Sequence, residues 1–156
     1  MDFEIRQATI DDIPEITSLF RNTIININSR DYSDKQIKVW ASGADDIEKW
    51  EKRINNDYFI VAEANNQIIG FSYLTKGNYL DGLFVHKDYQ RKTIASKLLR
   101  IMESRASING FDVLKSDVSI TARPFFESKG YQVVKENTIP REGEVLINYD
   151  VIKVLN

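Results

Sequence analysis

The chain has 156 residues, 42% of them hydrophobic and 28% charged, and no cysteine. These are the proportions of an ordinary soluble globular domain, and they exclude collagen-like, coiled-coil and disordered chains. At this length roughly 70% of the surface exposed by the unfolded chain is buried on folding, so neither disulfides nor a structural metal is needed. Twenty-one Lys and Arg against twenty-three Asp and Glu leave a formal charge of -2, which provides no broad basic field for nucleic acid or acidic lipid; neither partner is expected.

The missing cysteines remove thiol nucleophiles, iron–sulfur clusters and Cys-type zinc sites. A single histidine, His86, rules out a two-histidine metal site and forces any His-dependent triad through one residue, so no metal is expected. The first residues, MDFEIRQATIDDIPEI, are acidic and lack an apolar stretch of signal-peptide length. No run of 18 apolar residues occurs, and a cytoplasmic location is expected. Without repeats or a Pro/Gly/Ser-rich linker, residues 1–156 are expected to form one domain.

In chain order, Phe3 to Arg6 alternates like a strand. Asp11, Asp12 and Pro14 then open a helix with Ile13, Ile16, Leu19 and Phe20 on one face, because an early proline and acidic residues suit a helix start. Ser33 caps a short helix carrying Ile37 and Trp40, and Ala44 to Ile54 places Ile47, Trp50 and Ile54 at helical spacing. Both helices are expected over one face of a sheet. Tyr58 to Glu63 and Gln67 to Leu74 flank Asn65-Asn66, residues that tolerate left-handed turn geometry, which predicts a hairpin. Tyr79 to Val85 is a further strand, followed by a polar turn and a helix from Thr93 to Ile108. Asp112 to Val118 gives a strand, Ala122 to Lys129 a short helix ended by Gly130, and Gln132 to Glu136 and Val145 to Val154 two last strands around a loop with Pro140 and Gly143.

The strand, turn and long helix carry the most chemistry. A turn entering a helix exposes its first N–H groups at the positive end of the helix dipole, a receptor for phosphate or pyrophosphate. Gln90-Arg91-Lys92-Thr93-Ile94-Ala95-Ser96 stands there, with two cations and two hydroxyls. Neither G-x-x-x-x-G-K-[ST] nor G-x-G-x-x-G occurs, so a P-loop and a Rossmann dinucleotide site are unsupported.

The run from Leu83 to Leu99, LFVHKDYQRKTIASKLL, resembles motif A of the GNAT acetyl-CoA-dependent N-acetyltransferases, L-x-V-x-P-x-x-[QR]-x-x-G-x-[GA]-x-x-L. The similarity extends over nearly the whole chain, including Ala122 to Tyr131. Tyr32-Ser33, Gln36-Ile37, Trp40-Ala41 and the stretch from Asp117 through Ser119 to Gly130 are most similar to the YafP-like branch. The resemblance implies the GNAT acyl-CoA N-acyltransferase fold: an α/β protein with a twisted mixed sheet of six to seven strands and helices on both faces. It implies a V-shaped gap between the Tyr79–Val85 and Asp112–Val118 strands for the pantetheine arm. The implied reaction moves an acetyl group from acetyl-CoA to a primary amine, on a small molecule or a peptide, by direct attack in a ternary complex. A homodimer is compatible with it. The alternative is a non-catalytic acyl-CoA-binding sensor or assembly module.

Three departures from the family pattern bear on chemistry. Thr93 stands where glycine is usual, adding a branched side chain where backbone approaches pyrophosphate. Lys87 replaces a proline. Phe126 occupies the position of the tyrosine that protonates the leaving thiolate in many members, and a phenyl ring has no proton to give.

By the same resemblance, the cofactor contacts are Leu83, Phe84 and Val85 through their backbone, Gln90, Arg91, Lys92, Thr93, Ile94, Ala95 and Ser96 at the turn, and Ser119 and Phe126 along the arm. Ser119 stands where relatives often have asparagine, and a plain helix-capping role weighs equally. The attacking amine must be neutral, so a carboxylate base is expected; Asp81 is the first choice and Asp117 the second, each weighed evenly against a structural carboxylate. Tyr149 is a candidate replacement for the missing acid against a packed strand tyrosine. Tyr32 and Trp40 are candidate acceptor contacts, with core packing the commoner fate of such aromatics. His86 is expected at the surface beside the turn.

Overall fold

A computed structural model describes residues 2–91 and 93–156. Strand β1 (Glu4–Gln7) leads into helices α1 (Ile13–Asn26), α2 (Asp34–Ala41) and α3 (Ile47–Asn56); the antiparallel strands β2 (Tyr58–Ala64), β3 (Gln67–Thr75) and β4 (Tyr79–Val85) follow. Helix α4 (Ile94–Ile108), β5 (Val113–Ser119), α5 (Arg123–Ser128), β6 (Gln132–Arg141) and β7 (Glu144–Val154) complete the chain. The seven strands form one sheet in the order β1-β2-β3-β4-β5-β7-β6. Among the described residues only the β4–β5 pair is parallel, which makes this the expected mixed sheet with helices on both faces.

Local chemistry explains the elements. Asn65 and Asn66 take φ of 52° and 61°, closing β2 onto β3 in a two-residue turn of the kind that matches strand twist. Ser33 and Gln36 form a capping box at the start of α2, with Gln36 N donating to Ser33 Oγ at 3.2 Å. Ala44 to Ile54 divides differently from the expectation: Ser42–Asp45 is a 3-10 turn, and α3 begins at Ile47, where the Asp46 side chain accepts from Lys49 N. The loop expected around Pro140 is also corrected. β6 runs through Pro140 to Arg141, and the connection shrinks to Glu142-Gly143, with φ of 47° and 85°. Proline is tolerated there because β6 is the edge strand of the sheet.

Each face of the sheet has its own core. On one, Ile94, Leu98, Leu99 and Met102 of α4 and Phe126 of α5 pack on Leu80, Leu114 and Val118. On the other, Ile16, Phe20 and Ile24 of α1 and Trp50 of α3 cover Phe59, Phe71 and Tyr73. Trp50 is fully buried, its Nε1 donating to Gly43 O at 3.0 Å. Burying apolar side chains of this size stabilises by about 1.5–3 kcal/mol each, so the two layers hold the sheet between them.

The feature that makes a site is the failure of β4 and β5 to stay paired. Only Tyr79↔Lys115 and Leu80↔Ser116 are in register; beyond them β4 remains with β3, and β5 with β7. The divergence starts at a bulge. Tyr73 pairs with Gly82 and Leu74 with Leu80, leaving Asp81 as the extra residue on β4. A bulge bends its strand and increases the local twist, and here it turns the rest of β4 away from β5.

Candidate active site

The cleft opened by this divergence encloses about 1530 Å³ and runs from the start of α4 to the helices on the opposite face. At one end lies the polar turn. Gln90 Nε2 donates to Val85 O at 2.6 Å, and Val85 O also accepts from Thr23 Oγ at 3.0 Å, which pins the end of β4. Arg91 and Thr93 both adopt left-handed backbone, with φ of 60° and 67°. Among the described residues the first α4 bond runs from Lys97 N to Thr93 O at 3.0 Å, which leaves the N–H groups of Ile94, Ala95 and Ser96 at the start of the helix, ahead of that bond. Gln90, Arg91, Thr93, Ile94, Ala95 and Ser96 all line the cleft. Lys92 lies outside the described residues. His86 stays on the outer side of the turn, accepting from Asp88 N through Nδ1 at 3.1 Å, and does not line the cleft.

Leu83, Phe84 and Val85 follow the bulge. Leu83 and Val85 join the α4-side core, and Phe84 packs at 5.0 Å from Phe20 and 5.2 Å from Phe71 on the other face. Their backbone on the β5 side faces the gap without a strand partner. Across it, Ser119 Oγ accepts from Ala122 N at 3.0 Å and from Asn28 Nδ2 at 3.4 Å, so it caps the turn into α5 while also lining the cleft. Phe126 is buried edge-to-face between Phe125 and Tyr131, and it too reaches the cleft wall.

Tyr149 is a correction. It pairs with Val118, whose side chain faces the α4-side core, and its ring lies 4.5 Å from the Arg123 guanidinium. It is not among the cleft-lining residues. Strand alternation decides this: Tyr149 shares the face of Val118, while its neighbours Asn148 and Asp150 take the opposite one.

The opposite end of the cleft holds both candidate carboxylates. Asp81 is exposed to the cleft at the bulge. Loss of hydration in this recess raises its pKa; Asp117 adds to the rise, and Arg53 opposes it. Asp117 is already engaged: Tyr79 Oη donates to its Oδ1 at 2.9 Å and Asn148 Nδ2 to its Oδ2 at 3.1 Å. Burial, followed by the Asp117 charge, holds Tyr79 well above the ordinary tyrosine range, so this phenol keeps its proton. Tyr32 and Trp40 meet edge-to-face at 5.3 Å on the cleft wall. The Tyr32 hydroxyl donates to Ile147 O at 2.6 Å and accepts from Ile120 N at 2.9 Å, tying the loop after β5 to β7. Its ring, not its hydroxyl, is what the cleft can use.

Several wall residues were not anticipated. Tyr73, Lys49 and Arg53 line the cleft beside Asp81, and the tip of the β6–β7 hairpin, Ile139 to Glu142, closes it from above. Gln36 Nε2 donates to Val145 O at 2.6 Å, fastening that hairpin to α2. Glycine directly after Asp81 was the available signal for Tyr73, since Gly82 leaves space for a neighbouring ring. Lys49 and Arg53, one helical turn apart, gave a weaker one.

The comparisons with known proteins agree with this geometry. Residues 28–153 match the acetyltransferase (GNAT) domain. Over 148 residues the chain is 32% identical to the uncharacterised N-acetyltransferase YafP of Escherichia coli K12, covering 95% of this chain and 93% of that one. The fold superposes on the GCN5-related N-acetyltransferase from Rhodopseudomonas palustris with a TM-score of 0.96 at 30% identity, over 99% of this chain and 97% of that one. The PaiA N-acetyltransferase of Thermoplasma acidophilum, solved in complex with coenzyme A, has the same fold at 20% identity, with a TM-score of 0.82 over 99% of both chains. YncA of Salmonella typhimurium, solved with acetyl-CoA, does so at 18% identity, with a TM-score of 0.65 over 100% of this chain and 95% of that one. The chain belongs to the GNAT family of N-acetyltransferases.

Proposed function

We propose that this protein transfers an acetyl group from acetyl-CoA to a primary amine of a small molecule, by direct attack in a ternary complex. The observation that carries the reading is one continuous cleft joining the open N-terminus of α4, the unpaired edge of β4 and the carboxylate of Asp81. Acetyl-CoA supplies an activated acyl group and a diphosphate. The α4 amides of Ile94, Ala95 and Ser96, with Gln90, Arg91 and Thr93 beside them, suit the diphosphate, as do the Lys92 cation and the fold of two relatives solved with coenzyme A or acetyl-CoA. The gap between β4 and β5, walled by Ser119 and Phe126, accommodates an extended arm.

Catalysis then divides among the chain's own groups. Asp81, directly or through water, takes a proton from the acceptor ammonium so that its nitrogen can attack. A backbone N–H within Leu83–Val85 polarises the acyl carbonyl, and the cleft holds the reactants together. As the C–N bond forms the C–S bond breaks, the second amine proton passes to solvent, and the sulfur leaves as thiolate. A thiol titrates near ~8.5, so departure without an acid remains feasible, at a cost of roughly 10²–10⁴-fold where acid help is usual. Tyr32 and Trp40 supply apolar walls for the acceptor; Asp117, with both oxygens engaged, supports the strand geometry and the local field.

Calorimetric titration with acetyl-CoA, together with thiol release in the presence of amines, tests the reading. Saturable binding and amine-dependent release are expected. Absence of binding at millimolar acetyl-CoA removes the proposal. The lack of a phenol at Phe126 favours a second reading, a binding module without turnover, and tight binding with no release across a broad amine set selects it.

A further inference from the structure

Three side chains near Asp81, those of Arg53, Lys49 and Tyr73, have hydrogen-bond donors with no acceptor among the described residues. Arg53 lines the cleft with its guanidinium carbon 4.5 Å from the Trp50 ring centroid and 5.0 Å from that of Tyr73. Among the described residues its guanidinium makes no hydrogen bond and no ion pair within 4.0 Å. The carboxylates nearest in charge, Asp57 and Asp81, feel Arg53 without pairing with it. Lys49, four residues earlier, also lines the cleft and has no ion pair among the described residues; the pair on this helix is Lys52–Glu48, out on the surface. Tyr73 is 3% exposed, and its hydroxyl has no hydrogen-bond partner among the described residues.

A guanidinium carries five N–H donors, and stacking on aromatic faces attracts its charge without satisfying them. The two rings hold Arg53 in place before any ligand arrives, so little ordering entropy remains to be lost on binding an anion. Beside Asp117, whose oxygens are both engaged, the recess therefore presents the Asp81 carboxylate and a group of donors in which Arg53 is held by two rings, with apolar rings from Trp40, Phe20 and Phe84 on the same cleft wall. A ligand that complements it carries an amine and an anion on one small apolar body.

We propose that the acceptor is an aminocarboxylic acid of the amino-acid type, its amine at Asp81 and its carboxylate held by Arg53 and Lys49 with the Tyr73 hydroxyl. This rests on reading the cleft as the acceptor site of an acetyltransferase, and it narrows the substrate class from amines to amino acids with apolar side chains.

The test compares matched pairs in the thiol-release assay: L-phenylalanine with phenethylamine, and L-leucine with isoamylamine. The acids are expected to exceed their decarboxylated partners in kcat/KM by at least ~10-fold, mostly through KM, the scale of a charged hydrogen bond. Arg53→Gln should lower turnover of the acids by roughly 10- to 100-fold more than that of the amines, which feel only the change in field at Asp81, with partial recovery in Arg53→Lys. The phosphonate analogue of phenylalanine tells a carboxylate-selective site from a general anion site, and its failure beside active phenylalanine supports the carboxylate. The same pairs titrated calorimetrically into protein saturated with coenzyme A read recognition without turnover, and a preference for the acids there supports the proposal. Equal or better performance of the amines in both measurements overturns it, as does an Arg53→Gln loss shared equally by acids and amines. Those outcomes leave the transferase reading intact; absence of acetyl-CoA binding strikes that reading instead.

Discussion

The phenol of Tyr73 lies across the Cα of Gly82. A β-carbon built on residue 82 would stand 2.5 Å from Tyr73 Cζ and 2.8 Å from its hydroxyl. The two residues are register partners at the point where β4 bulges at Asp81 and parts from β5. Glycine thus lets a buried ring occupy the inside of the bend, and the bend opens the cleft.

Gly82→Ala is accordingly expected to destabilise the protein by about 1–3 kcal/mol, the usual cost of overpacking. Acetyl transfer should fall more than acetyl-CoA affinity, because Tyr73 and Asp81 move while the α4 end stays in place. Chemical denaturation and thiol-release kinetics measure the two effects, and an alanine variant of wild-type stability and rate contradicts this account of the bulge.

Asp81→Asn should lower kcat/KM by roughly 10²–10⁴-fold with the acetyl-CoA dissociation constant preserved. Because the recess raises the Asp81 pKa above its unfolded value of 3.8, the wild-type rate should climb with pH along a limb centred above the ordinary carboxylate range, a limb the asparagine variant lacks. The stability sign is opposite. A raised folded pKa contributes stability below the unfolded value and loses it as pH rises through the folded one. At neutral pH the variant should therefore be the more stable protein, an advantage that disappears in acid, as melting curves at the two pH values would record.

Thr93 is a β-branched residue at φ 67°, ψ 0°, a left-handed conformation costing roughly 1–2 kcal/mol for a residue with a β-carbon. Thr93→Gly relieves this but adds about 0.5–1 kcal/mol of unfolded-state freedom. Folding stability should change by no more than about 1 kcal/mol, while acetyl-CoA binds several-fold tighter as backbone approaches the diphosphate. Calorimetry showing weaker binding in the glycine variant would mean that the threonine side chain contributes to the site.

Phe126→Tyr restores a phenol on the cleft wall. An increase in kcat is expected, with a stability loss of about 1–3 kcal/mol if the new hydroxyl lacks a partner between Phe125 and Tyr131. Tyr149→Phe should leave the rate within about twofold, since its ring lies under Arg123 on the other face of β7. A large loss there would return Tyr149 to the chemistry.

Much of this molecule was already written in its residue order. The β-rich runs Tyr58–Glu63 and Gln67–Leu74 around Asn65-Asn66, the cap at Ser33, and the turn before α4 act through neighbours in the chain, where propensity and capping operate. Motif A pointed to the start of α4 and the adjoining strand for the same reason, since a helix N-terminus and the strand that feeds it are consecutive. What local order could not decide was where strand pairing fails and which side chains meet across the gap. The Asp81 bulge depends on the register of β3 against β4, and the full occupation of Asp117 depends on Tyr79 and Asn148 from two other strands. Its strand alone left Tyr149 between a cleft acid and a packed tyrosine, whereas its face follows from pairing with Val118. Arg53 meets Tyr73, which lies on another element, only on folding. Chain-local forces thus set the helices, the turns and the α4 end of the cleft. Long-range strand register, which one residue's slip would invert, set the end that holds Asp81.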